Sequence, residues 1–197
     1  MQAVESETLI LYHTDLRDEW PQAAARALAV RLPYLKRLAL SGASEAAHAS
    51  LAGVALALRA LGRATGRAVA AAELHFEAER KPRLAEAGAA DFSIAHSGPY
   101  VGCAALPAAR VGLDLEFGSA PRLTEWVARE AVVKAAGLGV RALREVELTE
   151  AGARCRGECW YARVLAEFPG AAACAMSNVP LRSLEARCVP LAELFDA

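Results

Sequence analysis

Two neighbouring segments, 111–116 and 126–134, constrain the fold most, because one has the pattern of a strand and the other that of a helix. The first reads Val-Gly-Leu-Asp-Leu-Glu and alternates apolar with polar positions at a period of two, which is typical of a strand. Asp114 and Glu116 stand two residues apart, so their carboxylates face the same side of that strand.

The second segment places three functional side chains on one helix face. Trp126, Glu130 and Lys134 follow one another at a spacing of four residues, which brings them into line along a helix. Nine residues, 117–125, join the two segments. Fully extended, they reach about 30 Å, so the helix has room to return over the strand. We expect the carboxylates and the ammonium to meet if it does.

A cluster of this composition predicts a magnesium site. Carboxylates that lie close together do not all stay ionised without a cation, and oxygen-only ligands favour Mg²⁺ over zinc. A lysine beside the metal suits a pyrophosphate. The alternatives are a solvent-facing strand edge for Asp114 and Glu116, and an ordinary surface ion pair for Glu130 and Lys134. The predicted metal ligands are Asp114, Glu116 and Glu130.

The rest of the chain predicts an α+β fold. A long helix is expected over 44–63, with Ser44 as its N-cap and Leu51, Val54, Leu58 and Leu61 as its apolar stripe. A shorter helix is expected from about 20 to 32. Each half thus supplies helix and several strands. The predicted strands are 8–13, 73–77, 91–96, 100–106, 111–116, 143–149, 159–164, 171–176 and 181–188, with a helical turn after Pro190.

Composition excludes several classes of protein. The 197 residues are 55% hydrophobic with a net charge of −1, which is enough for a substantial core and argues against a nucleic-acid-binding protein. The most apolar run, 51–61, is too short for a bilayer and contains Arg59. The N-terminus lacks a signal-like pattern. Five irregularly spaced cysteines predict reduced thiols rather than a zinc site. We expect a soluble cytoplasmic protein.

Four motifs together resemble one enzyme family. They are Gly-x-Asp-x-Glu at 112–116, Trp-x-x-Arg-Glu-Ala-x-x-Lys at 126–134, Lys81-Pro82, and Phe-Ser-Ile-Ala-His-Ser at 92–97. In their order along the chain they resemble the 4′-phosphopantetheinyl transferases of the larger, monomeric, surfactin-synthetase-activating type. The motifs lie within about residues 81–140, and weaker similarity extends over about 43–176.

The resemblance implies both a fold and a reaction. The fold would be two similar lobes related by a pseudo-twofold axis, each a small, mostly antiparallel sheet packed with a long helix, at 1–110 and 111–197 in one compact unit. The enzyme would use Mg²⁺ to transfer 4′-phosphopantetheine from coenzyme A to a serine of an apo acyl or peptidyl carrier protein. Glu130, itself or through a water, would accept the serine proton, and Lys134 would contact the pyrophosphate. We expect a monomer without a membrane or nucleic-acid partner.

The resemblance also assigns residues to coenzyme A. His96 would contact the 3′-phosphate, with Ser97 and the following turn beside it. Lys81 and Pro82 would lie near the nucleotide end. Lys36, with Arg37, stands where the family has basic residues near the 3′-phosphate, although a solvated face is an equal alternative. Arg129, where the family often has lysine, receives no direct role.

Three departures from the family pattern leave a second function open. Ala95 stands where the family usually has serine, and His48 where it commonly has an arginine for the 3′-phosphate. The nine-residue linker 117–125 replaces a segment of several tens of residues that helps to form the carrier-binding surface. The alternative is a catalytically impaired relative that binds coenzyme A or a carrier protein as a scaffold or regulator.

Overall fold

A computed structural model of the chain describes residues 7–33, 36, 44–77, 80–86 and 88–195. The helices with described bounds are α1 (Gln22–Arg31), α2 (Glu45–Thr65) and α3 (Leu123–Ala135), and short 3₁₀ turns occupy Ala71–Glu73, Val140–Glu145 and Leu191–Glu193. The strands are β1 (Glu7–Asp15), β2 (Leu74–His75), β3 (Arg83–Leu84), β4 (Ala90–Ser97), β5 (Tyr100–Pro107), β6 (Val111–Phe117), β7 (Val146–Thr149), β8 (Gly152–Cys155), β9 (Glu158–Val164), β10 (Ala171–Ser177) and β11 (Leu181–Cys188).

The fold is α+β, as the sequence predicts. The first sheet has the order β11-β1-β5-β4, and the second has the order β6-β10-β9-β8-β7. A small pair, β2-β3, stands apart from both. All neighbours are antiparallel except β1 and β11, which run parallel.

The two sheets share a connectivity. In the first, β1 leads through α2 to the hairpin β4-β5, and β5 returns to pair with β1; in the second, β6 leads through α3 towards β9-β10, and β10 pairs with β6. The predicted boundary at 110/111 falls between β5 and β6. The last strand does not follow that division: β11 belongs to the second half of the chain but joins the first sheet beside β1.

Alternating side chains sort the core into layers. On β1, Ile10 and Tyr12 face α2, whereas Leu9 and Leu11 face the second sheet, where Leu113 and Leu115 of β6 meet them. A third cluster fills the space between the second sheet and α3. The order is therefore helix, sheet, sheet, helix, and the period of two in each strand decides which layer receives each side chain.

Helix α2 begins and ends where local signals place it. The Ser44 hydroxyl accepts a hydrogen bond from the Ala47 amide at 3.2 Å, as an N-cap does. Gly66 closes the helix in the left-handed conformation, with φ of 69°. Of the predicted stripe, Leu51, Val54 and Leu61 are buried, which confirms the face expected from the sequence.

Helix α3 rests directly on β6, as the length of the linker allows. A Cβ atom at Gly112 would lie 1.9 Å from the Ala131 carbonyl oxygen, so the close approach of helix to strand requires glycine there. Arg129 fixes the far side of the helix by donating to the carbonyls of Val146 and Leu143. Because Gly112 faces the helix, the side chains at 114 and 116 do so too.

The structure corrects several predicted elements. The strand expected over 143–149 begins only at Val146, because 140–145 form a 3₁₀ turn. The strand expected over 73–77 shrinks to Leu74–His75. Strand β8 was not predicted, since its four residues carry no apolar alternation and depend on pairing with β7 and β9. Of the two basic residues assigned to the 3′-phosphate in this region, Lys36 is described and Arg37 lies outside the described residues. Across the described chain, no helix combines the length and apolar character that crossing a bilayer requires.

Candidate functional site

The site is centred on Asp114, which β6 presents to α3. The residue is 4% exposed. Lys134, in the last turn of α3, donates from Nζ to Asp114 Oδ1 at 2.5 Å, and the same ammonium lies 4.0 Å from Glu130 Oε2. Two of the three predicted metal ligands and the predicted lysine are therefore brought together by the packing of one helix on one strand.

The electrostatics of Asp114 are those of a buried acid among other acids. Burial raises its pKa to about 6, the Lys134 ammonium opposes that rise, and the negative charges of Glu130 and Glu116 add to it. Its second carboxyl oxygen, Oδ2, is buried and has no hydrogen-bond partner among the described residues. Buried carboxylate oxygens are normally hydrogen-bonded, so Oδ2 is a free acceptor.

Glu116 lies at the end of β6 and is held by a residue of the other sheet. The Ser97 hydroxyl donates to Glu116 Oε2 at 2.7 Å and accepts from the Phe117 amide at 3.1 Å. Ser97 closes β4, so these bonds join the ends of the two sheets beside the site. The role that the structure gives Ser97 is to orient one of the acids, and this leaves its predicted contact with coenzyme A untested.

His96 and Lys36 extend the site as a basic flank. Partial burial lowers the pKa of His96, and the charges of Lys134 and Lys36 lower it further, against the opposing effect of Glu116. His96 is therefore neutral at physiological pH. Burial also lowers the pKa of Lys36, whose Nζ donates to Ser50 Oγ and lies 5.1 Å from the centre of the Phe76 ring.

A cavity of about 520 Å³ opens next to His96. Its lining includes Trp20 and His48, whose rings stack at 4.1 Å between centroids, and Arg17 in the turn after β1. Sequence reasoning considered His48 but missed Trp20 and Arg17. No local signal marks them, because they reach the cavity only when the segment after β1 folds against α2.

Lys81 lies away from these residues. Its ammonium donates to Asp91 Oδ2 and, at 2.7 Å, to the Val111 carbonyl, at the first residues of β4 and β6. His96 and Glu116 stand five residues further along their strands, about 16 Å away at the usual rise. Burial lowers the pKa of Lys81, while Asp91 opposes that shift. The motif Lys81-Pro82 thus anchors a loop at the opposite end, where a second cavity of about 410 Å³ is lined by Arg83 and Asn178, among others.

The donor set is chemically suited to a hard divalent cation, although the side chains are not yet arranged around one. No three His, Cys, Asp or Glu side chains within the described ranges are close enough together to ligate one ion. Asp114, Glu116 and Glu130 nevertheless supply carboxylate oxygens, and Asp114 Oδ2 lacks a hydrogen-bond partner in the described part of the chain. Carboxylate oxygens are the ligands that Mg²⁺ takes from proteins, so Asp114, Glu116 and Glu130 fit such an ion.

Comparison with known proteins adds no relative. No family model matches the chain, and no curated protein matches it either. The resemblance to the phosphopantetheinyl transferases therefore depends on the four sequence motifs alone and stays a prediction.

Proposed function

We propose that this chain is a magnesium-dependent 4′-phosphopantetheinyl transferase, which moves the phosphopantetheine arm of coenzyme A to a serine of an apo acyl or peptidyl carrier protein in the cytoplasm. The observation that carries the proposal is the meeting of Asp114, Glu130 and Lys134 on facing surfaces of β6 and α3, with one buried carboxyl oxygen left free. Motif spacing alone would be satisfied by many arrangements in which these groups point apart.

The proposed metal site uses oxygen atoms from both elements. Asp114, Glu116 and Glu130 would hold Mg²⁺, which when bound offsets negative charge on the pyrophosphate. The Ser97 hydroxyl, which donates to Glu116 Oε2, would hold that carboxylate in place for this role. Glu130 is half-buried, and among the described residues its carboxylate has only the ion pair with Lys134 at 4.0 Å to restrain it.

The protein residues would supply positioning and charge. Lys134 would donate to the pyrophosphate oxygens, and His96 and Lys36, whose charges are close enough to interact, would face the 3′-phosphate. The neighbouring cavity has the size of a small-molecule site and would take part of the coenzyme. Glu130 accepts the proton of the carrier serine as its oxygen attacks the β-phosphate in line. The products are the modified carrier and adenosine 3′,5′-bisphosphate.

Mass spectrometry of the carrier tests this proposal. The protein is incubated with coenzyme A, Mg²⁺ and several apo-carriers, including one encoded beside its own gene, and the carriers are weighed. A gain of one phosphopantetheine group is expected. Glu130→Ala should lose transfer, whereas Glu125→Ala, an exposed acid in the first turn of the same helix, should keep it. Unmodified carriers throughout, or full activity of Glu130→Ala, would contradict the proposal.

One observation favours the second function, a relative that binds coenzyme A or a carrier without transfer. Among the described residues the three carboxylates do not lie close enough together to ligate one ion, and Asp114 forms an ion pair with Lys134. In that case calorimetry would show coenzyme A or carrier binding that is independent of Mg²⁺, with no change in carrier mass.

A further inference from the structure

Lys134 stands where a cation bound to Asp114 would stand. Its Nζ lies between two carboxylates, 2.5 Å from Asp114 Oδ1 and 4.0 Å from Glu130 Oε2. The side chains of these acids are 5% and 24% exposed. Within the described ranges, no other lysine, arginine or histidine forms an ion pair with either of them.

The ammonium satisfies only half of Asp114. Oδ1 accepts the lysine hydrogen bond, while Oδ2 is buried without a partner. A buried carboxylate oxygen without a partner has lost its hydrogen bonds to water and formed none in the protein. This raises the free energy of the folded state unless a ligand binds that oxygen. The unpartnered oxygen and the ion pair are separate observations: Oδ1 already binds a cationic group, and Oδ2 can accept a further ligand.

We infer that Lys134 is a placeholder: in the free protein its ammonium neutralises Asp114, a divalent cation binds by displacing it, and a pyrophosphate-bearing ligand then accepts the displaced ammonium. The identity of that ligand rests on the proposed function, whereas the displacement rests on the ion pair alone. The consequence is that the metal and the pyrophosphate bind cooperatively, each raising the affinity of the other by the same factor.

The physical reason is the balance of charge in a half-buried space. A cation that arrives alone has to break the Asp114–Lys134 pair and leave a positive ammonium beside itself. A pyrophosphate brings oxygens that accept the lysine N–H groups and neutralise both cations. A conformational exchange of one flexible side chain is sufficient, because lysine has four rotatable carbon–carbon bonds and a mobile charged end.

Metal binding in the absence of any nucleotide tests the displacement. Mn²⁺ serves as the probe, with the free ion measured by electron paramagnetic resonance. Lys134→Met, which keeps an unbranched side chain one atom shorter and removes its charge, should bind Mn²⁺ roughly ten-fold more tightly than the wild type. Lys134→Arg should bind it as weakly as the wild type. Arg63→Met is the control and should change nothing, because it removes an α2 cation from an exposed ion pair with Glu185 of β11.

Thermal unfolding and the effect of coenzyme A on metal affinity test the same displacement. The Lys134→Met variant leaves a buried acid without its counter-ion, so Mn²⁺ should raise its melting temperature more than that of the wild type. Saturating coenzyme A should tighten Mn²⁺ binding roughly ten-fold in the wild type and much less in Lys134→Met.

The outcomes separate this inference from the proposed function. Equal Mn²⁺ affinity and equal thermal shifts in Lys134→Met and the wild type overturn the placeholder, even if transfer is observed. Tighter binding in Lys134→Met with no transfer to any carrier supports the displacement and contradicts the function. Mn²⁺ binding that survives Asp114→Asn unchanged overturns the metal site itself, and with it the placeholder. An absence of coupling to coenzyme A overturns the cooperativity.

Discussion

Replacing Gly112 by alanine tests the contact on which the site depends. The added Cβ would lie 1.9 Å from the carbonyl oxygen of Ala131 and 2.5 Å from the amide nitrogen of Ala135, where contacts below 3.0 Å are essentially never seen. Both neighbours are backbone atoms, so no rotamer change relieves the clash. Helix α3 has to withdraw from β6 by about 1 Å, and interior contacts are too dense to absorb that without loss.

The expected cost follows from overpacking. Insertion of one methyl group into a filled interior destabilises a protein by about 1–3 kcal/mol, and the rigid backbone on both sides places Gly112→Ala at the upper end. For a chain of this size, 3 kcal/mol lowers the melting temperature by roughly 6–12 °C. Withdrawal also lengthens the 2.5 Å bond between Lys134 and Asp114, so carrier modification should fall more than stability alone explains.

Circular dichroism during thermal and urea unfolding measures the effect, with Gly139→Ala as the matched control. A Cβ at Gly139 meets nothing within 4 Å, and its φ of −80° suits any residue. The control should stay within about 0.5 kcal/mol of the wild type. If Gly112→Ala is as stable as Gly139→Ala, helix α3 does not rest on β6 as described, and the reasoning about the site fails.

Three other substitutions test separate parts of the structure. Burial raises the pKa of Asp114 to about 6 from an ordinary 3.8. Between these two pH values the unfolded chain loses the Asp114 proton while the folded chain keeps it, so the free energy of unfolding falls as the pH rises through this interval. Without divalent cations, Asp114→Asn should abolish the fall and add about 2–3 kcal/mol at neutral pH; an unchanged pH profile in urea unfolding contradicts this. Ser97→Ala removes bonds to Glu116 and the strand end and should cost about 1–2 kcal/mol in the same assay, so wild-type stability would show that these bonds contribute nothing. Lys81→Met leaves Asp91 with an uncompensated charge, and since the lysine side chain is only 14% exposed, a loss of about 3–5 kcal/mol is expected; a loss near zero would mean that the pair is solvated.

The sequence predicted the strand and the helix of the site correctly because both depend on local periodicity. Alternation over 111–116 placed Asp114 and Glu116 on one face, and the four-residue spacing placed Glu130 and Lys134 on another. The structure confirms both elements and the return of the helix over the strand. The roles assigned to these residues in catalysis, in metal binding and in coenzyme A binding remain predictions.

Other parts of the site depend on contacts between distant segments, for which the sequence carries no local pattern. Lys81, which the resemblance assigns to the nucleotide end of coenzyme A, donates to Asp91 and the start of β6, and its contact with the coenzyme stays a prediction. Ser97 meets Glu116 because two strands from different sheets end side by side. Trp20 lines the cavity only through packing against α2.

The sequence by itself determined the α+β class, the positions of most helices and strands, and the face of each element that carries acid or base, because side-chain periodicity is a property of neighbouring residues. Tertiary structure alone decided that β11 returns to lie parallel to β1 and that the Lys134 ammonium settles on Asp114 while Oδ2 stays free. These arrangements depend on which surfaces are buried against each other, and the surfaces that meet belong to segments far apart in the sequence.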